Sequence, residues 1–206
     1  MLNYLYGYAA MLRVLVVLFA VMAPALAIAG EPLFEAAAKG DVAAIENLLA
    51  SGAAVDARDQ DQATPLIAAA LGGQVEAAKL LLAKGADVMA RNSGGFTALH
   101  AAAYGGSAEV AALLLDNKAA RDDTANKAGT TPLFVAAETN HLEVVELMIS
   151  KGADVSQTES HGYFPTTRAF WKGHVDMVRL LKRHGAVCQE TKLSADEYKR
   201  CLEIKD

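Results

Sequence analysis

From Pro32 onward, short apolar blocks alternate with polar loops, and the apolar positions recur at helical spacing. The stretch TPLIAAALGGQVEAAKLLLAKGADV, from Thr64 to Val88, shows the pattern most plainly. Thr64 is placed to cap a helix whose first residue is Pro65. A threonine hydroxyl accepts an orphan amide there, and proline at the first position gives up no intrahelical bond. Small alanines, Ala68 to Ala70, follow, and Gly73 breaks the helix. Val75, Ala78, Leu81 and Leu82 then mark one face of a second helix, which ends at Gly85, where a left-handed cap suits glycine. The pattern predicts two short antiparallel helices and a long loop. It is written again from Thr97 and from Thr131, the latter copy carrying Val144, Leu147 and Met148 on its second helix and Gly152 at its end.

Three sets of markers fix a period. Pro32, Pro65, Ala98, Pro132 and Pro165 are spaced 33, 33, 34 and 33 residues apart, and Gly40, Gly73, Gly106, Asn140 and Gly173 keep the same spacing. Gly52, Gly85, Lys118, Gly152 and Gly185 follow 12 residues later each time, and the loop after Lys118 holds the one extra residue. With "TPLI", "TALH" and "TPLF" opening units of this length and "GADV" closing two of them, the chain resembles the ankyrin repeat. The resemblance implies an all-α solenoid of about five helix-turn-helix units over residues 30–187, with hairpin loops projecting as fingers and a short C-terminal helix after it. One unit cannot bury its own apolar face, so stability is expected from neighbour contacts. The end units depart from the pattern: Glu31 stands in the threonine position of the first. In the fifth, Thr166 replaces the core leucine, which leaves open whether its first helix packs as the others do.

In proteins of this kind the concave side is lined by exposed positions of each first helix and by the finger tips. By the repeat register one such row is Ala38, Leu71, Tyr104, Glu138 and Trp171, and its neighbour is Glu35, Ala68, Ala101, Val135 and Arg168. Leu71, Tyr104 and Trp171 in line match what interface cores prefer, so Leu71, Tyr104, Glu138, Arg168 and Trp171 are expected to bind a partner. The plainer alternative is packing across repeat boundaries. The tips offer Arg58, Asp59, Arg91, Asn92, Thr158 and Glu159. Of these, Arg58, Arg91 and Glu159 are expected as charged partner contacts, against the ordinary alternative of a solvated loop.

Ser194 and Glu197 form a capping-box pattern, with Leu193 and Tyr198 as its hydrophobic staple. They predict a helix from about Ala195 to Glu203 with Tyr198, Cys201 and Leu202 on one side. Cys188 and Cys201 are the chain's two cysteines, and in an exported chain they read as a disulfide. Such a bridge is worth ~3 kcal/mol in the chain-entropy picture and would clamp residues 188–206 over the last repeat. A redox-active pair is the alternative, and the C-x-x-C spacing for it is absent.

Ahead of the repeats, Val14 to Ala29 is uncharged, follows Arg13 and ends with Ala25, Ala27 and Ala29. Residues 1–29 therefore read as a secretory signal peptide cleaved before Gly30, with Met11 a better start than Met1 because it opens a short basic segment. The rival reading is an uncleaved anchor, but the run is short of the ~20 apolar residues a span needs and is broken by Pro24. The expected location is periplasmic or secreted, with no stable membrane insertion after cleavage.

The whole 206-residue chain carries −5, but unevenly: residues 31–161 hold 9 basic and 18 acidic side chains, residues 162–206 hold 9 and 6. An acidic surface repels a phosphate backbone, which argues against nucleic acid. Of the histidines, His100, His141 and His174 sit where ankyrin repeats carry structural histidine, and the spacing of His174 and His184 fits no zinc motif. No nucleophile elbow, phosphate-binding loop or H-E-x-x-H occurs, so the reading is non-catalytic, with no cofactor and no metal.

The expected function is a monomeric protein–protein interaction module. Its resemblance to bacterial periplasmic ankyrin-repeat proteins, some of which support a catalase, suggests an accessory role in oxidative-stress protection. The alternatives are an immunity or inhibitor protein against a basic toxin or hydrolase, which the acidic repeats would attract, and an undetected hydrolase.

Overall fold

Threonine and proline start the first helices as the sequence predicts. Thr131 Oγ1 accepts from Phe134 N at 3.1 Å and Thr64 Oγ1 from Ile67 N at 3.4 Å, with Pro132 and Pro65 at the first helical positions. A computed structural model describes residues 30–205, and the predicted leader and the start at Met11 lie outside them. Five helix pairs follow one another: α1 (Gly30–Lys39) with α2 (Val42–Ala50), α3 (Pro65–Leu71) with α4 (Val75–Ala83), and α5 (Ala98–Gly105) with α6 (Ala108–Asp116). Then come α7 (Pro132–Glu138) with α8 (Leu142–Ser150), α9 (Pro165–Trp171) with α10 (Val175–Arg183), and finally α11 (Ala195–Glu203). No strand occurs among the described residues.

Within the repeats each odd-numbered helix packs on the odd-numbered helix of the next pair, and each even-numbered helix on the next even one, so the chain is a two-row all-α solenoid. The first four units each contribute a buried leucine from their first helix, Leu33, Leu66, Leu99 and Leu133, to one continuous core with Ile45, Leu81, Leu114, Met148 and Leu181. The alanines of the first helices let the inner row close up. Closest of all is the approach at Gly105, where a Cβ would lie 2.2 Å from the carbonyl oxygen of Leu71. Farther along, the next unit's N-cap histidine bonds that same helix end: His141 Nε2 donates to Tyr104 O at 2.9 Å and His174 Nε2 to Glu138 O at 3.2 Å. Lys118 and Asn140, which replace glycine in the period, hold the glycine backbone at φ 68° and 67°. Asparagine tolerates that region and lysine rarely adopts it, so the strain falls on Lys118.

The loops form fingers joined by backbone rungs: Ser93 N donates to Asp61 O, Lys127 N to Gly94 O and Ser160 N to Ala128 O, at 2.8 to 3.0 Å. The rung that a further finger would supply to the last one, at His161 O, comes instead from the tail, through Lys192 Nζ at 2.9 Å. Gln189 adds a second attachment. Its Oε1 accepts from Phe164 N at 3.0 Å and Thr167 Oγ1 at 2.9 Å, tying the start of α9 to the tail, and its Nε2 donates to Gly162 O at 2.6 Å. Next to Gln189, Cys188 is bonded to Cys201, which is fully buried on α11. Ser194 and Glu197 form the predicted capping box at the start of α11. Lys182 Nζ closes its other end on the carbonyls of Cys201, Leu202 and Ile204.

The fifth unit packs like the others, which answers the question raised by Thr166: α9 lies against α7 and α10. Thr166 is wholly buried in the leucine position, and among the described residues its hydroxyl has no hydrogen-bond partner. A buried unpaired hydroxyl costs about 1–3 kcal/mol. Thr166→Val, which swaps that hydroxyl for a methyl group, is therefore expected to stabilise the chain by about 1 kcal/mol in urea unfolding. An unchanged or lower midpoint would show that the hydroxyl is satisfied.

A second expectation concerns pH. His100 is buried between Thr97, whose Oγ1 lies 3.0 Å from Nδ1, and Thr130, whose carbonyl lies 3.0 Å from Nε2. Burial lowers its pKa below the ordinary 6.5, outweighing the bond to Thr130 O. The unfolded chain then binds the proton more readily than the folded one. The stability this contributes is complete above 6.5 and is lost as pH falls below it. Melting temperature should fall between pH 7.5 and 5.5, and less so in His100→Phe, which copies the residue Phe134 at the same place in the next unit. Equal slopes for the two proteins would refute the assignment.

Candidate partner-binding face

Every finger is turned by one side-chain acceptor at an equivalent position. Asp59 Oδ1 accepts from the amides of Asp61 and Ala63 at 2.9 and 2.7 Å, and Asn92 Oδ1 from Gly94 and Phe96, both at 3.0 Å. Asn126 Oδ1 accepts from Ala128 and Thr130 at 3.2 and 3.1 Å. Glu159 is the fourth member. Its Oε1 accepts from Tyr163 N at 3.2 Å, its Oε2 meets His161 Nδ1 at 2.8 Å, and the residue is only 7% exposed. Burial pushes this carboxyl up, and the bonds from His161 and Tyr163 outweigh it and hold the pKa below the usual value. Glu159, expected as a charged partner contact, lies buried in the fourth finger and holds its turn.

The two finger arginines are also engaged. Arg58 Nη1 donates to the carbonyls of Gln62 and of Arg91 in the next finger. Arg91 in turn clasps Asp123 of the third finger, Nη1 to Oδ2 at 2.7 Å and Nη2 to Oδ1 at 3.0 Å, and reaches Gly95 O and Ala125 O. Burial raises the Asp123 pKa, but the bonds from Arg91 and the Ala125 amide outweigh it and the carboxyl stays ionised below its usual range. Ala125 takes the arginine's place in the third finger, so this series of clasps stops there. Arg58 and Arg91 thus tie fingers together; their geometry is that of staples between repeats.

The helix row is where large side chains reach solvent. Leu71 and Tyr104, at the ends of α3 and α5, are 49% and 60% exposed. Glu138 follows on α7 and pairs with Arg168 Nη2 of α9 at 3.3 Å. Trp171 ends the row at 40% exposure, with Nε1 donating to Glu197 of α11 at 3.2 Å and its ring edge-on to Tyr163 at 5.0 Å. Arg168 and Lys192 approach the Tyr163 ring at 5.9 and 4.9 Å. Leu71, Tyr104, Glu138 and Trp171 thus occupy equivalent places on successive first helices, with Arg168 of the neighbouring row paired to Glu138, and the row is divided: an apolar step at Leu71 and Tyr104, and a polar and aromatic end joined to the tail. Tyr163, Lys192 and Glu197 escaped the sequence reading because they reach the row from a finger and the tail, outside its helical register.

Glu159, Ser160 and His161 adjoin, the arrangement closest to a hydrolytic relay. Both partners meet the same ring nitrogen, Nδ1, with Ser160 Oγ at 3.4 Å and Glu159 Oε2 at 2.8 Å. A relay needs the two on opposite nitrogens, so the trio does not form one. Among the described residues no group of three or more His, Cys, Asp or Glu side chains is arranged to hold a metal ion, and no helix is long and apolar enough to cross a membrane.

The family model for ankyrin repeats (three copies) matches residues 33–127 and 117–192. Short stretches are similar to curated proteins that carry the same repeat. The mouse (Mus musculus) Ankyrin repeat and SAM domain-containing protein 6 is 39% identical over 62 residues, 30% of this chain and 7% of that protein. The Ankyrin repeat and KH domain-containing protein CBG24701 of Caenorhabditis briggsae is 34% identical over 70 residues, 34% of this chain and 3% of that protein. Its counterpart mask-1 of Caenorhabditis elegans is 34% identical over 65 residues, 32% of this chain and 2% of that protein. The chain therefore spans 7% or less of the length of these relatives, and the likeness lies in the repeats. With family matches running from residue 33 to 192 and five stacked helix pairs joined by hydrogen-bonded fingers, this chain belongs to the ankyrin-repeat family and is built as a protein–protein interaction module.

Proposed function

We propose that the chain is an exported, non-catalytic binding protein, acting as a monomer, that holds another protein against the step formed by Leu71 and Tyr104. The observation that carries this reading is the exposure of two large apolar side chains on adjoining first helices, beside the small residues Ala68 and Ala101. A shallow apolar step with an aromatic anchor suits an interface core. Export to an oxidising space such as the periplasm is supported by the apolar leader and by the pairing of both cysteines. The specific role proposed is that of an accessory to a catalase in peroxide protection, which rests on the resemblance to periplasmic ankyrin-repeat proteins.

A second reading is favoured by one observation. Glu76, Glu109 and Glu143 are exposed at the same step of α4, α6 and α8, an acidic line on the outer row. Such a line would steer a basic toxin or hydrolase toward an immunity protein.

Capture from a periplasmic extract separates these readings. The native chain is expected to retain a catalase, and a Leu71→Ala, Tyr104→Ala double variant to lose it, with binding weaker by about tenfold or more at unchanged stability. Arg91→Ala is expected to do the reverse, keeping the partner while lowering stability by roughly 1–3 kcal/mol through the unpaired Asp123. Capture of the same proteins by native chain and double variant would refute the proposed face, and a basic effector in place of catalase would select the second reading.

A further inference from the structure

At the C-terminal end, α9, α10 and α11 enclose a groove of about 320 Å³, at the small end of ligand pockets. Its apolar wall is made by Phe170, Trp171, Val175, Val178 and Ile204, and Trp171 and Val175 remain 40% and 42% exposed there. Two charges stand at its edge, Glu197 and Arg200. Glu197 is occupied: Oε2 accepts from Ser194 N and Oγ at 2.9 and 2.8 Å, and Oε1 from Trp171 Nε1. Arg200 is held differently. Its guanidinium carbon lies 5.7 Å from the centroid of Phe170, and among the described residues no hydrogen bond takes up its N–H groups. The surrounding segment, residues 162–206, is the basic part of the chain, with 9 basic against 6 acidic side chains.

We propose that this groove binds the C-terminus of a partner protein, an apolar last side chain entering between Trp171 and Val175 while its free carboxylate is taken by Arg200. A guanidinium presents a planar fork that matches a carboxylate with two parallel bonds. The apolar wall beside it strengthens those bonds by excluding water from one side. Glu197 opposes an incoming anion, so the site favours a ligand whose apolar group adds to the charge contact. This inference goes beyond the helix-row reading: Trp171 is shared with that row, whereas Leu71 and Tyr104 take no part.

Trp171 is the chain's single tryptophan, so its emission reports this groove directly. The disulfide-bonded chain is titrated with acetyl-glycyl-leucine bearing a free carboxylate, and separately with the C-terminal amide of the same dipeptide. The free acid is expected to shift Trp171 emission saturably and to bind at least about tenfold more tightly than the amide, the range of a charged hydrogen bond. Arg200→Gln should weaken the acid by about the same factor and Arg200→Lys by less, since lysine keeps the charge without the fork. Glu197→Gln should tighten it, an opposite sign that a merely structural role would not produce. Tyr104→Ala should leave the titration unchanged, which separates failure here from failure of the helix-row reading. Equal binding of acid and amide, no saturable shift with either, or an Arg200→Gln chain that is folded by circular dichroism and binds as the native one does would overturn the proposal.

Discussion

The contact between successive first helices is the constraint from which the rest of the molecule follows. Each unit is too small to enclose Leu66, Leu99 or Leu133 by itself, and these side chains are buried because the neighbouring unit closes over them. That closure demands small residues on the inner row, and at Gly105 it leaves no space even for a methyl group against the Leu71 carbonyl. The same demand thins out the side chains on the inner face. Leu71 and Tyr104 reach solvent beside the small residues Ala68 and Ala101 of the neighbouring row.

A second layer of order runs along the fingers. Backbone rungs and the arginine clasps from Arg58 and Arg91 link loop to loop, so charged residues that look available at the tips are spent on holding the loops in file. A paired and half-buried arginine contributes through what its loss would leave behind, an ionised Asp123 without a partner, more than through net attraction. Surface chemistry and structural chemistry thus lie side by side in the same loop, and orientation alone separates them.

Much of the fold was legible because its signals are local. A threonine before a proline, a glycine where φ is positive and apolar residues three and four apart each depend on a few consecutive residues, and repetition multiplied them. The capping box at Ser194 and the cysteine pairing were legible for the same reason and by count. Two things were not. The role of Gln189 depends on Phe164 and Thr167, which sit 25 and 22 residues away and carry no pattern pointing to it. The inward turn of Glu159 did leave a trace: Asp59, Asn92, Asn126 and Glu159 form a register column in which every member is an acceptor. A column that keeps its chemistry while neighbouring columns change marks a backbone duty, and reading single tips hid it. For the helix row, the split between its apolar step and its tail-bound end arises from Glu197 and Tyr163, which lie outside the register.

The tail makes the two ends of the solenoid unlike. Lys192 supplies to the last finger the rung that a sixth unit would have given, Gln189 adds bonds of its own, and the two address only residues 161–167. Nothing in this termination refers to how many units precede it. Duplication or deletion of an internal unit within the gene would leave the cap and its disulfide intact, lengthening or shortening the recognition face in whole steps. The architecture is therefore extensible from within, one unit at a time, without disturbing the contacts between tail and last finger.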